Sequence, residues 1–494
     1  MNKEEILDYY NSLCKDHNKK LSRAEYRNIT PKYSSSLIEK IWGSWTNFVN
    51  KTKDVFLINR VKLVKHTNNR KVVISYVQDG SEINIECFNT LKNYCDKNKA
   101  ELFILWGKNI RGNKLFNNDT YTLLQPYLTT SIIFDKDSKC VAEDFLIPST
   151  QKNPLVNLDK LTANLTTVVV GSCKQYMKIL PYKQYSDYKI AYSTGTISVC
   201  EYKETVSGNL DKKNHTFGAI LLDYNNDKKR YIPRNLIYKY GFIHDLNKKY
   251  DQTKEYTEDV SGMVLGDLHL PDEDSIALGE TLQSINEYKP KQVVIHDIAS
   301  WNSISHHEFN LPFTRAKNRS YLNRDLRTEL TVVLDRMDMI SKLCPNTTFC
   351  IVNSNHDEFI RKWLEKDFIK DTSNAKFGAE LFIKYLDGKT ILSDNLPKNF
   401  IQLKPNQSYK IEDFEVNEHG DCGISGAHGS VYSFNKGFDK VIHGHTHSPE
   451  IYEKVVIVGT LSKLKLSYNQ QGLTKWVHSN ALIHKNGTYQ LILL

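Results

Sequence analysis

Five short clusters of histidine and acidic or amide residues lie in the second half of the chain, and their side chains could bind metal ions. The clusters are Gly266-Asp267-Leu268-His269, His296-Asp297, Asn355-His356-Asp357, Glu418-His419-Gly420-Asp421 and Gly444-His445-Thr446-His447. Residues two apart at a strand end point to the same side, so the Asp-x-His and His-x-His pairs each converge. Imidazole, carboxylate and amide ligands together suit divalent transition metals such as Mn, Fe or Zn.

Three of these clusters end apolar runs that predict short strands, namely GMVLGDLHLP, QVVIHD and TFCIVNSNHD. The stretches 274–288 and 324–343 lie between them and predict helices. Strands that alternate with helices predict an α/β (α+β) fold, whose sites gather at the carboxyl ends of the strands. A buried aspartate or histidine at such an end needs a partner, and a metal ion is one.

The rest of the chain predicts two further parts, giving domains at 1–55, 56–250 and 255–494. Helical spacing, with serine caps at Ser22 and in the Ser34–Ser36 run, predicts a small helical module at 1–55. A strand at 72–77, a helix at 87–98 and a strand at 102–106 predict a βαβ unit in a mixed α/β middle domain of unknown role. Further strands are predicted at 166–172 and 217–233, the latter with a turn near Asn225. The charge-dense stretch 244–259 is predicted to be a linker.

In order and residue type, the five clusters resemble the calcineurin-like metallophosphoesterase superfamily, whose pattern is DxH, GDxxD, GNH, a further His and GHxH. The resemblance covers residues 260–460 and implies a β-sandwich flanked by helices. It also implies two divalent ions, Mn first, with Mg, Fe or Zn as alternatives. By this resemblance one ion is held by Asp267, His269 and His447, the second by Asn355, His419 and His445, and Asp297 bridges both.

The resemblance implies hydrolysis of a phosphoester. Two metal ions clamp the phosphate, and a hydroxide held by them attacks phosphorus in line. His356, outside the metal shell, stabilises charge or protonates the leaving oxygen. The chain departs from the family pattern at His296 and Ser354, which replace glycines, and at Ser300, which replaces the second acidic residue. None of the three is a ligand in that pattern, but they leave the metal preference open.

The charge distribution and two further resemblances favour DNA as the substrate. Of the net charge of +9, residues 1–70 supply +7, with fourteen Lys/Arg against seven Asp/Glu. A basic end on a near-neutral body favours a polyanionic partner, although a lysine-rich surface typical of an AT-rich genome explains the charge equally well. The stretch SSSLIEKIWGSWTNFVNKT resembles the helical repeat attached to homing endonucleases, in which Trp42 and Trp45 are predicted core residues. The candidate phosphate contacts are Lys19, Lys20, Arg23, Arg27, Lys32 and, in the loop after the second cluster, Arg315.

The stretches NKAELFIL, KNHTFGAILLDY, HGDCGISGAHGS and GHTHSPEI resemble bacteriophage early DNases that degrade host DNA, and the catalytic part resembles the SbcD-like nuclease branch. These resemblances predict a two-metal DNA phosphodiesterase in the host cytoplasm, with a homodimer as one arrangement. Nine scattered cysteines and the lack of a long apolar run argue against a disulfide framework and a membrane partner. Two alternatives stay open: a phosphomonoesterase acting on a protein or nucleotide, and a DNA-binding protein with an inactive phosphoesterase fold.

Overall fold

The computed structural model of the 494-residue chain describes residues 3–16, 21–51, 61–64, 71–78, 81–107, 118–134, 139–145, 147–148, 150–162, 165–183, 187–305, 311–313, 316, 325–466, 469 and 471–494. Helices and mixed sheets occur together along these residues, which confirms the predicted α/β (α+β) class. Among the helices described, none has both the length and the apolar character needed to cross a bilayer.

The first described residues form a helical module with α1 (Lys3–Asp16), α2 (Arg23–Asn28), α3 (Ser35–Trp42) and α4 (Trp45–Lys51). The Ser22 hydroxyl accepts the backbone N–H of Glu25, and the Glu25 carboxylate accepts that of Ser22. The Ser34 hydroxyl caps α3. Both predicted serine caps are therefore confirmed. The module has its own core, in which the fully buried side chains include Ile6, Tyr10, Tyr26, Ile38 and Phe48, with Trp42 and Trp45 packed against them as predicted.

The next part of the chain forms an eight-stranded sheet. Its βαβ unit consists of parallel strands β2 (Lys71–Gln78) and β3 (Ala100–Gly107) joined by α5 (Ile85–Asn98), which confirms the prediction. The predicted turn near Asn225 joins β11 (Gly218–Asn225) to β12 (Arg230–Lys239). The remaining strands of this sheet are β4 (Leu128–Thr129), β13 (Phe242–Asp245), β14 (Lys248–Tyr250) and β15 (Glu255–Thr257).

The prediction of a linker at 244–259 was wrong, because this stretch continues the sheet as an antiparallel meander. Several of its charged side chains have specific partners, although others remain exposed. The Arg234 Nε donates to Asp245 Oδ1 at 3.0 Å, and Lys249 Nζ lies 2.9 Å from Glu258 Oε1. Tyr250 is fully buried. Charge density alone therefore misidentified a segment whose carboxylates have specific basic partners.

A second sheet of eleven strands joins the middle and carboxyl-terminal parts of the chain. It has the order β1-β5-β6-β7-β10-β8-β23-β24-β22-β21-β20. At the junction β8 pairs antiparallel with β23, with Met177 opposite Ile451. The segments 56–250 and 255–494 thus share one hydrogen-bonded sheet. Its strands are β1 (Val61–Val64), β5 (Ser131–Phe134), β6 (Cys140–Glu143), β7 (Thr167–Val170), β8 (Met177–Leu180), β10 (Lys189–Ser193), β20 (Lys410–Ile411), β21 (Phe414–Glu415), β22 (Val441–His443), β23 (Glu450–Tyr452) and β24 (Val455–Ile457).

A third sheet of six strands has the order β19-β18-β17-β16-β26-β27, and its first four strands are parallel. The strands are β16 (Gly262–Val264), β17 (Gln292–Ile295), β18 (Thr348–Ile351), β19 (Phe400–Gln402), β26 (Ser479–Ile483) and β27 (Tyr489–Leu493). A small two-stranded sheet pairs β9 (Tyr182–Lys183) with β25 (Leu473–Thr474). The other helices are α6 (Asn118–Leu124), α7 (Leu158–Leu161), α8 (Val206–Asn214), α9 (Ser275–Tyr288), α10 (Leu326–Leu343), α11 (Asn355–Lys366), α12 (Ala375–Leu386) and α13 (Val431–Gly437), with 3-10 turns at Phe368–Lys370 and Ile424–Gly426.

The six-stranded sheet is covered on both faces, as its nearly continuous apolar strands predict. One face, including Val264 and Val294, packs against the eleven-stranded sheet through residues such as Ile442 and Val456. The other face packs against α9 and α10, whose positions confirm the predicted helices at 274–288 and 324–343. Two sheets therefore pack face to face with helices on the outside, and the carboxyl ends of the parallel strands meet at one edge.

Candidate metal centre

The clusters predicted from the sequence lie at neighbouring strand ends. Asp267 lies three residues after β16, Asp297 lies two residues after β17, and Asn355 begins α11 shortly after β18. These three strands are adjacent and parallel. His445 and His447 follow β22, which belongs to the eleven-stranded sheet. The site is therefore assembled where an edge of one sheet meets the end of a strand from the other.

A first group of ligand atoms lies within a sphere that one cation could occupy. His447 Nε2 is 3.0 Å from Asp267 Oδ2, and the Nε2 atoms of His269 and His447 are 2.9 Å apart. With Asp297, these residues offer four ligand atoms that all lie within 4.8 Å of one another. All four side chains are buried, with at most 4% of their surface exposed.

Asp297 contacts a second group of side chains as well. Its Oδ2 lies 3.5 Å from His269 Nε2 and 3.2 Å from His419 Nε2. His419 Nε2 is also 2.9 Å from Asn355 Oδ1. The ring of His445 is 5.1 Å from that of His419, and its backbone N–H donates to Asp267 Oδ2 at 2.8 Å. One carboxylate therefore lies between two sets of ligand-type atoms.

The chemistry of these contacts fits a bound cation. Asp267 Oδ1 and Asp297 Oδ1 are buried, and neither has a hydrogen-bond partner among the described residues. The facing Nε2 atoms of His269 and His447 can share only one proton when both rings are neutral. A buried, unpaired carboxylate is costly, whereas coordination to a metal ion satisfies carboxylate and imidazole lone pairs together. The buried Asp/His cluster can thus hold a metal ion.

Local backbone geometry aims these side chains. His269, Asp297, His445 and His447 have φ values of 53°, 42°, 74° and 56°, in the left-handed region that non-glycine residues seldom occupy. Such conformations cost free energy and persist only where the surrounding structure enforces them. Here the backbone N–H of His269 donates to the carbonyl of Asp297 at 2.7 Å, which joins the two ligand loops. Four candidate ligands in strained conformations indicate a site selected for geometry rather than for stability.

The electrostatics of the centre favour an ionised Asp297 carboxylate with positive charge beside it. Burial alone would raise the pKa of the Asp297 carboxyl, but the imidazoles around it, His419 foremost, hold that pKa well below its usual range. Burial likewise acts to lower the pKa of His419, yet the Asp297 carboxylate outweighs it and raises that pKa to about 9. Burial lowers the pKa of His445 to about 4 and that of His269 well below its usual range. Asp297 is therefore ionised, and His419 carries a proton that a metal ion must displace.

His356 lies beside the centre, where the sequence places a catalytic histidine. Its Nδ1 donates to the Ser300 carbonyl at 2.8 Å, because a carbonyl oxygen can only accept a hydrogen bond. The His356 ring is 4.7 Å from that of His269. This hydrogen bond fixes the tautomer and leaves Nε2 unprotonated in the neutral ring. Among the described residues, the Asp357 carboxylate accepts hydrogen bonds from Ser354 at the start of α11 rather than from His356. Burial raises the pKa of Asp357 to about 6.

The candidate DNA contacts are engaged within the helical module or lie outside the described residues. Arg23 forms an ion pair with Glu39, Arg27 Nε donates to Ser35 Oγ at 2.7 Å, and Lys32 Nζ is 3.1 Å from Glu5 Oε1. These pairs lie at the module surface, where replacing an ion pair by a contact with a phosphate group costs little free energy. Outside the described residues lie Lys19, Lys20 and Arg315.

Other side chains at the centre carried no sequence signal. The Trp476 ring packs edge-on against His447 at 4.1 Å, and the Thr460 hydroxyl donates to the Asp267 carbonyl at 2.8 Å. Neither residue belongs to any of the five clusters or has a regular spacing from one. His428, exposed in the loop before α13, lies 5.5 Å from the His445 ring. These neighbours are brought to the site only by the packing of β24, β25 and the loops around them.

Comparison with known proteins gives a similar sequence from a bacteriophage. No protein-family model matches the chain. It is 27% identical over 354 residues to Protein A1 of Escherichia phage T5, and the aligned part covers 67% of this chain and 63% of that protein. The chain thus spans less than two thirds of the length of this phage relative. Among solved structures, Chaetomium thermophilum Vps29 in complex with a cyclic peptide aligns over 39% of this chain and 100% of its own, with 9% identity and a TM-score of 0.22, too low to indicate a common fold.

Asp267 and His296 lie close to Gly444, and this closeness predicts the effect of a small substitution there. A Cβ at this position would lie 2.1 Å from Asp267 Oδ1 and 3.0 Å from the Cβ of His296. We expect Gly444→Ala to displace the carboxylate and to weaken metal binding roughly 10- to 100-fold. Metal content after dialysis measures the effect. Gly437→Ala is the matched control, because no atom lies within 4 Å of its added Cβ. Equal metal content in the two variants would contradict this account of the site.

The raised pKa of His419 predicts how metal binding depends on pH. Because that pKa is about 9, a metal ion must displace a proton from His419 at any lower pH. Affinity for Mn²⁺ should therefore rise by about tenfold per pH unit between pH 7 and pH 9 and level off above it. Calorimetric titration in buffers of different ionisation enthalpy measures both the affinity and the proton released. An affinity that is constant across this range, with no proton released, would refute the assignment.

Proposed function

We propose that this chain is a phage-encoded, metal-dependent phosphodiesterase that hydrolyses DNA. The observation that carries the proposal is the buried convergence of Asp267, His269, Asp297 and His447 at the strand ends. The similarity to a protein of Escherichia phage T5 supports a phage origin. The resemblance to the calcineurin-like metallophosphoesterases, nuclease branch, supports the reaction class.

Two divalent ions, most simply Mn²⁺, would suit this set of donor atoms, and Asp297 would contribute to the binding of both. Asp267, His269 and His447 would hold the first, and the second would be held by Asn355, His419 and His445. When bound, such a pair polarises the phosphoryl oxygen and lowers the pKa of water to near neutrality. The chain's own contribution is to hold the Asp297 carboxylate ionised among buried imidazoles, because the pKa of Asp297 is well below its usual range while burial lowers the pKa values of His269 and His445.

His356 is proposed as the catalytic histidine. Its Nδ1 is fixed by the Ser300 carbonyl, and the side chain is half-buried beside the centre. The protonated ring can donate from Nε2 to the oxygen that leaves phosphorus, or hydrogen-bond to the phosphate as charge develops. The carbonyl of Ser300 would thus orient the His356 ring toward the centre.

DNA is proposed as the substrate because of the charge and resemblance of the helical module. The module folds around its own core, and its basic residues lie at the surface. Exposed lysine and arginine side chains bind a phosphate backbone without reading its sequence, and the bound counterions are released. The module would thus raise the local concentration of DNA at the catalytic part.

The test is cleavage of linear and circular duplex DNA by the purified chain in the presence of Mn²⁺ or EDTA. Cleavage should require the metal and should be abolished in Asp297→Ala. His356→Ala should retain its metal and yet lose about 10²- to 10⁴-fold in turnover. Cleavage of the circular substrate would show that no free end is needed.

Three results would overturn these assignments. If His356→Ala loses its metal, His356 is a ligand and not the catalytic group. If the metal-loaded chain fails to cleave DNA but hydrolyses a phosphomonoester such as p-nitrophenyl phosphate, the phosphomonoesterase alternative replaces the nuclease. A chain that binds DNA but no metal would be a binding protein with an inactive fold.

Removal of the helical module should separate DNA binding from catalysis. Deletion of residues 1–55 should weaken affinity for duplex DNA and reduce the slope of log affinity against log salt, because phosphate contacts are lost. Hydrolysis of a small diester, bis-p-nitrophenyl phosphate, should be unchanged. Fluorescence anisotropy with labelled DNA at several salt concentrations measures the first effect. DNA affinity and salt slope identical to those of the full chain would exclude a DNA-binding role for the module.

A further inference from the structure

A cavity of about 750 Å³ lies between the middle and carboxyl-terminal parts of the chain, away from the metal centre. Its walls come from the ends of α8 and β12, from the connection between α13 and β22, and from the turn between β26 and β27. Lys440 lines it immediately before β22, whereas His445 and His447 follow the other end of that strand. The cavity is therefore at the opposite end of β22 from the metal centre, and its volume is typical of small-ligand sites.

The cavity carries an excess of positive charge. Five lysines line it, namely Lys213, Lys239, Lys436, Lys440 and Lys454, against two carboxylates, Asp439 and Glu453. Both carboxylates already have partners: Lys454 Nζ is 4.0 Å from Asp439, and Asn435 donates to Glu453 at 2.7 Å.

The remaining lysines are only partly compensated. Lys440 forms an ion pair with Asp413 at 2.5 Å. Within the described part of the chain, no carboxylate oxygen lies within 4.0 Å of the ammonium groups of Lys213, Lys239 or Lys436. Burial, and then the neighbouring ammonium of Lys440, lower the pKa of Lys239 against the opposing effect of the Asp413 carboxylate. Lys239 is half-buried, whereas Lys213 and Lys436 are exposed, and an excess of positive charge around a recess favours a bound anion.

The other walls suit a flat, hydrogen-bonding group rather than an inorganic anion alone. Phe217, Phe414 and Tyr489 line the cavity, and the last two rings pack edge-on at 5.7 Å. Gln175, 3% exposed, uses its amide nitrogen to donate to the carbonyls of Thr194 and Ala219. Its Oε1 has no hydrogen-bond partner among the described residues, nor has the buried Oδ1 of Asn435. The cavity thus combines ammonium groups with the partly exposed rings of Phe217 and Tyr489, whereas Phe414 and the two unpaired amide oxygens lie beneath its surface.

We propose that this cavity is a binding site for a nucleoside phosphate, separate from the metal centre. The ammonium groups of Lys213, Lys239 and Lys436 bind the phosphates, and the aromatic side chains contact the base or sugar. A free nucleotide is favoured over a DNA strand, since a recess of about 750 Å³ has the volume of a site for one small ligand.

The experiment is calorimetric titration of the full-length chain with dATP, dAMP, inorganic pyrophosphate and a single-stranded 20-mer, all in EDTA. The chelator keeps the metal centre from binding phosphate, so the result does not depend on nuclease activity. Saturable binding of dATP, weaker binding of dAMP and much weaker binding of pyrophosphate are expected. Lys239→Ala and Lys213→Ala should each weaken dATP binding about tenfold or more, as loss of a charged hydrogen bond requires.

Lys228→Ala is the matched control, because Lys228 is an exposed lysine at the other end of the same β11–β12 hairpin. Circular dichroism spectra and thermal unfolding midpoints that match those of the control show that the two cavity variants are folded. The proposal is overturned if no nucleotide binds, if both cavity variants bind dATP as the control does, or if pyrophosphate binds as tightly as dATP. A 20-mer that binds more tightly than dATP and competes with it would also overturn it, in favour of a DNA-strand groove.

Discussion

The buried carboxylate of Asp297 places the strongest constraint on this structure. It is 1% exposed, stays ionised, and has one oxygen without a hydrogen-bond partner among the described residues. A charge in such a position is tolerated only where opposite charge compensates it. His269 and His419 lie on either side of its second oxygen, and their arrangement leaves ligand atoms on both sides. The strained loops, the close approach of Gly444 and the joined ligand loops all serve to keep these atoms in place.

The packing of the six-stranded sheet against the eleven-stranded sheet offsets the free-energy cost of burying the Asp297 carboxylate. Strands β16, β17 and β18 are buried on both faces, between helices on one side and the eleven-stranded sheet on the other. Their rigid ends hold Asp267, Asp297 and Asn355 at one edge. The second sheet contributes His445 and His447 from β22, so neither sheet alone carries a complete site. Relative displacement of the two sheets would separate the halves of the centre.

The middle part of the chain is continuous with this scaffold rather than attached to it. Pairing between β8 and β23 carries the eleven-stranded sheet across the predicted domain boundary. On the other side, Asn235 in β12 donates to the Tyr489 carbonyl at 2.9 Å, and Gln490 donates to Asp245. Tyr489 also lines the lysine-lined cavity. Segments that are far apart in sequence therefore create both recesses.

The sequence by itself identified the Asp and His side chains of the centre and the elements that carry them. Apolar runs ending in Asp267, Asp297 and Asn355 specify strands and the polar residues that follow them, because strand burial requires continuous apolar side chains. Serine caps and helical spacing likewise specified α2, α3, α9 and α10. All of these signals are local, so they can be read from neighbouring residues.

Only the tertiary structure decided which side chains meet. Trp476, Thr460 and the Ser300 carbonyl reach the centre through packing between distant segments, and no spacing in the sequence encodes such contacts. The charged stretch 244–259 looked like a linker because ion pairing depends on partners such as Arg234, which lies outside it. The five lysines of the cavity come from two helices, one strand and two connections, and the repulsion between Lys239 and Lys440 exists only once these segments have assembled. Residue type determines the chemistry that a side chain can perform, whereas long-range packing determines which groups that side chain contacts.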